Sequence, residues 1–69
     1  MDNSEQENKR LELLKRSNNL LEKTKTNFKI YQEERKLLLK LTTDEFISFE
    51  VWEKILDSIE ALVNNEKNN

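Results

Sequence analysis

The sequence predicts an all-α protein, and three observations carry that expectation. Its 69 residues contain no glycine and no proline, the residues that most often end helices or shape tight turns. Apolar residues return at intervals of three and four along most of the chain, the repeat of one helix face. Ser4 stands three residues before Glu7 and Thr42 three before Glu45, the pattern of a capping box at a helix start.

Length limits the chain to a single helical domain, residues 1–69, with 1–4 and 64–69 expected to fray. A domain this small buries little apolar surface and needs a staple. Cysteine and histidine are both absent, which removes disulfides and leaves zinc few ligands. Oligomerisation is the staple that remains. No apolar run approaches the roughly 20 residues of a membrane span, and the opening "MDNSEQENKR" is polar where a secretory signal is basic and then apolar. The expectation is a cytoplasmic protein with no membrane contact. Nine asparagines against a single alanine suggest an AT-rich genome, that of a low-GC bacterium or its phage.

The first element expected is a long N-terminal helix from Ser4 to Leu41, a span without a breaker. On that helix Leu14, Leu21, Phe28 and Leu39 form one stripe, and Leu13, Leu20, Tyr31 and Leu38 form a second, about 100° away. Two adjacent stripes suit a bundle of three or four helices better than a two-stranded coiled coil. Asn18 and Lys25 interrupt the heptad through Leu11, Leu14, Leu21 and Phe28, either to fix register or because they lie at a wet edge. At "LLLKL", residues 37–41, apolar side chains point almost all round, so that end should be enclosed.

A short helical turn is expected next, around residues 43–47, capped by Thr42 and stapled by Leu41 against Phe46. Ser48 then caps a final helix from Phe49 to about Val63, with Ile47 placed to staple Trp52. Phe49, Val51, Trp52, Ile55, Leu56, Ile59, Leu62 and Val63 fill one arc of about 160°, a face broad enough for two neighbours. At about 1.5 Å per residue the first helix would be about 55 Å long and the last about 22 Å. Folded back as a hairpin, the short helix would leave Leu11 to Leu21 bare, and a homodimer of two such hairpins would cover them. Leu13, Leu14, Leu20, Leu21, Phe28, Tyr31 and Trp52 are therefore the candidate dimer or partner interface.

Charge is divided along the chain. Residues 8–41 carry ten basic and four acidic side chains, and residues 42–69 carry two basic and seven acidic ones. Lys15, Lys25, Lys29, Lys36 and Lys40 fall on one line of the first helix, and Lys25, Lys29, Lys36 and Lys40 are the candidate nucleic-acid contacts. Glu12, Glu22 and Glu33 precede basic residues at helical spacing, so a self-paired solvated face explains the same lysines.

Catalysis and metal binding find no residues suited to them. With no histidine, no cysteine, no glycine-rich phosphate loop and no set-apart carboxylate pair, no catalytic, cofactor-binding or metal-binding residue is assigned. Asp44, Glu45 and Glu50 are too few for calcium, which needs many oxygen ligands and usually a glycine at the bend. The expected function is that of a small non-enzymatic regulatory protein of a bacterium or phage, modulating a larger host protein by protein–protein contact. The alternatives are a nucleic-acid-binding helical bundle and an assembly or scaffolding subunit.

Overall fold

The computed structural model describes residues 3–67, and among them every regular element is helical. Helix α1 is Asn3–Lys23, α2 is Gln32–Thr43 and α3 is Phe49–Lys67; a single 3-10 turn, Lys25–Asn27, lies between α1 and α2. The last helix continues four residues beyond Val63, since no residue there is a helix breaker.

The continuous first helix expected from Ser4 to Leu41 is instead divided at Thr24. In "TKTN" Thr24, Thr26 and Asn27 are poor helix formers whose side chains compete for backbone groups. The Thr24 hydroxyl donates back to the Leu20 carbonyl at 2.8 Å. Arg35 then reaches across from α2 to donate to the Leu21 carbonyl and to Thr24 Oγ1, the latter at 3.0 Å. The Leu20 carbonyl also keeps its backbone bond from Thr24 N–H at 3.0 Å, while Arg35 supplies a partner to the Leu21 carbonyl at the end of α1. Asn27 accepts from Ile30 N–H at 3.0 Å and Tyr31 N–H at 3.1 Å, which completes the reversal.

The second connection also departs from expectation. Thr42 and Thr43 end α2 rather than cap a new turn: their hydroxyls donate to the carbonyls of Leu39 and Lys40. Asp44 leaves the helix in an extended conformation, and its carboxylate accepts the Phe46 N–H at 2.9 Å, an Asx turn that does the work of a glycine. Residues 44–48 are accordingly non-helical, and Phe46 is 95 % exposed, so it staples nothing. The Ser48 cap is present, its Oγ accepting the Val51 N–H at 3.2 Å.

Direction follows from the ion pairs. Lys9 bonds Glu53, and Arg16 bonds Asp57 at 2.8 Å, so residues ascend together along α1 and α3. The chain therefore runs up, down and up, with α1 and α3 parallel and α2 antiparallel to both. Leu13, Leu20, Tyr31, Leu38, Leu41, Trp52, Leu56, Ile59 and Val63 form the buried core. Because the break lets α2 and α3 both pack on α1, the stretch from Leu13 to Leu21 is not left bare, while Leu11 stays 56 % exposed. Leu13 and Leu20 are closed over within one chain.

Candidate interaction surface

The helix α1 holds α2 on one side and α3 on the other, and α2 and α3 touch each other least. Between them lies an open groove of about 400 Å³. Leu37 supplies one wall from α2, and Val51, Ile55 and Leu62 supply the other from α3. Their spacing of four, seven and eleven residues keeps the α3 side chains on one line. Leu37, Val51 and Leu62 stay 38 %, 48 % and 49 % exposed, so the fold leaves this line half open. Glu33 and Glu34 stand on the α2 bank and Lys54 on the α3 bank. Lys54 is tied to Glu50 at 3.6 Å and Glu33 to Lys36 at 3.9 Å, both exposed pairs that solvent screens.

The opposite flank of α3 is engaged inside the molecule. Glu53, Asp57 and Glu60 face Lys9 and Arg16 of α1. The hydrogen bond to Glu53 raises the Lys9 amine above its ordinary value, and the bond to Asp57 does the same for the Arg16 guanidinium. Both groups stay charged more firmly for being paired.

Of the residues expected at an interface, Leu13, Leu20, Tyr31 and Trp52 belong to the core of a single chain, Leu14 and Leu21 pack half-buried against it, and Phe28 is exposed in the reversal. Trp52 is fixed from two sides. Its indole N–H donates to Ser17 Oγ at 3.0 Å, and Ser17 in turn donates to the Leu13 carbonyl at 2.8 Å. Arg10 lies 5.7 Å from the ring centre, close enough for a cation–π contact. Lys25, Lys29, Lys36 and Lys40 are all exposed, but the break separates them: Lys25 lies in the 3-10 turn, Lys29 in the reversal, and Lys36 and Lys40 on α2. They no longer share one straight helix.

A second hollow, of about 310 Å³, lies between α1 and α2 and is lined by Asn18, Leu21, Glu22, Lys25 and Arg35. Arg35 there is committed to Leu21 and Thr24. Among the described residues no three carboxylates come together as metal ligands. No helix among them is long and apolar enough to cross a membrane.

The groove was not singled out from the sequence, although two signals bear on it. The apolar arc of α3 is wider than one neighbour can cover, and "LLLKL" points Leu37 away from the side that α1 occupies. The chain matches no protein-family model, no curated protein and no solved structure, so its surface is read from its own residues.

Proposed function

We propose that the protein is a small non-enzymatic regulator of a bacterium or phage, and that it acts by receiving an amphipathic helix of a larger host protein in the α2–α3 groove. The observation that carries this reading is the half-exposed line of Val51, Ile55 and Leu62 facing Leu37. An apolar channel with charged banks is the form that helix-in-groove recognition takes, the incoming helix offering apolar residues at three- and four-residue spacing. Acidic Glu33 and Glu34 on one bank and Lys54 on the other would set its orientation.

The test is a photo-crosslinking side chain at position 62, used in a bacterial lysate with the parent chain and with Val51→Glu. Capture of one discrete protein that the Val51→Glu change abolishes supports the reading. Capture that is indifferent to Val51 refutes it.

A second reading has one observation in its favour. Among the described residues Lys25, Lys29 and Lys40 stand exposed without an ion pair, and Lys36 has only a long one. These four would contact phosphates, and changing them to glutamate would abolish oligonucleotide binding at low salt. No binding by the parent chain would end that idea.

A further inference from the structure

We infer that the reversal between α1 and α2 is a hinge, and that its straightening lets two copies of the chain exchange their α1 helices to form a dimer. The inference does not rest on the groove: its observations concern the reversal between α1 and α2.

Three observations lead there. The first is the backbone of the reversal itself. Tight helix reversals usually rely on glycine or on a left-handed residue, but the chain has no glycine and no described residue has a positive φ. Thr24 (φ −90°, ψ −1°) and Phe28 (φ −59°, ψ −27°) already lie in the right-handed helical region. Tyr31, at φ −103° and ψ 25°, needs a rotation of moderate size. No steric barrier of the kind a glycine turn imposes holds this segment bent.

The second observation is register. Leu14, Leu21 and Phe28 are seven residues apart and continue to Leu39 on one side of an unbroken helix. In the bundle this stripe is only half used: Leu14 and Leu21 pack on the core, while Phe28 and Leu39 are each 55 % exposed. The part of this phasing that lies beyond α1, Phe28 and Leu39, is what the bent form leaves half-exposed. In the straight form Phe28 falls near the point where two long helices cross, and its counterpart in the second copy covers it.

The third is what links α1 to α2 across the bend, beside the buried Thr24 and Tyr31 and the Asn27 carbonyl bonds within the reversal. Arg35 supplies the cross-links, to the Leu21 carbonyl and to Thr24. In a continuous helix the Leu21 carbonyl accepts from the Lys25 N–H instead, so the helix itself replaces what Arg35 gives up. Once α1 and α2 are collinear, α1 can no longer lie on its own α3. The Trp52–Ser17 bond and the pairs Lys9–Glu53 and Arg16–Asp57 then re-form between copies, which is domain exchange.

The test uses that last point. Equal amounts of unlabelled and nitrogen-15-labelled chain are unfolded together, refolded, and treated with a zero-length carbodiimide that joins Lys9 to Glu53 where they touch. Mass spectrometry then shows whether the linked peptides come from one chain or two, while light scattering follows the mass up to about 1 mM protein, a range that detects association as weak as a millimolar Kd. The expected result is a dimer whose Lys9–Glu53 link is isotopically mixed.

Two variants move the equilibrium in opposite directions. Arg35→Met should lower the dimer Kd roughly a hundredfold, about tenfold for each charge-assisted bond set lost from the two bent chains. Asn27→Gly with Lys29→Gly should raise it about thirtyfold by penalising the straight helix. A monomer at every concentration in the parent chain and in Arg35→Met overturns the inference. So does a dimer whose Lys9–Glu53 links are all within single chains, which would be side-by-side association. If Arg35→Met does not fold by circular dichroism, the parent and the glycine pair decide the matter between them.

Discussion

The bond between Trp52 and Ser17 permits a quantitative prediction. Both side chains are fully buried, and the indole N–H has Ser17 Oγ as its acceptor at 3.0 Å. Ser17→Ala removes that acceptor. The Leu13 carbonyl, which also receives the Ser17 hydroxyl, keeps its helical backbone bond and loses little. The cost is therefore that of one buried donor left unsatisfied, about 1–3 kcal/mol. A domain of this size has a total stability of only about 3–10 kcal/mol, so the change removes a large share. Urea unfolding followed by circular dichroism is the assay. With a slope near 1 kcal/mol/M for a small protein, the midpoint should fall by roughly 1–3 M. Trp52→Phe removes the donor instead and leaves Ser17 bonded to Leu13, so adding Ser17→Ala to it should cost markedly less than Ser17→Ala alone. Ser17→Ala within about 0.5 kcal/mol of the parent, the usual range of a surface change, would refute the reasoning and place Trp52 in a wet or different setting.

Other outcomes follow from the same packing. Leu56→Ala, at a position with no exposure, should cost about 2–5 kcal/mol and leave a substantial unfolded fraction by circular dichroism at 25 °C. Ser48→Ala should lower stability by about 1 kcal/mol through loss of the α3 cap, again read from the urea midpoint. Lys9 gives a pH dependence. Because Glu53 raises its proton affinity above the ordinary 10.5, its contribution is complete below that pH and is lost as pH rises through the folded value. The difference in Tm between the parent and Lys9→Met should therefore be present at neutral pH and close at strongly alkaline pH; a difference that widens there contradicts the pairing.

Much of the core was legible from periodicity. The stripe of Leu13, Leu20, Tyr31 and Leu38 is buried, and so are Trp52, Leu56, Ile59 and Val63 from the arc expected of α3. The Ser48 cap was readable too, because a cap depends on residues within one turn of each other. What local pattern did not reveal was the break at Thr24. Its threonines and asparagine weaken a helix by a few tenths of a kcal/mol each, too little to end one against two intact apolar stripes. Arg35, eleven residues beyond Thr24, helps to hold the bend, and propensity carries no record of a contact at that distance. From this one difference others follow: α3 reaches α1, Leu13 and Leu20 are covered from within, and the lysine line is divided. The groove was hidden for a related reason, since a line of apolar residues on α3 looks the same whether a third helix covers it or nothing does.

The parallel pairing of α1 with α3 also bears on how the chain finds its fold. Contacts between α1 and α2 join residues such as Leu21 and Arg35, whereas Ser17 and Trp52 lie 35 residues apart and Arg16 and Asp57 lie 41 apart. Closing the longer loops costs more chain entropy, so the two local reversals should form early and the docking of α3 along α1 late. The protein's one tryptophan sits in that late contact. Its fluorescence therefore reports that long-range docking, while far-ultraviolet circular dichroism reports the helices.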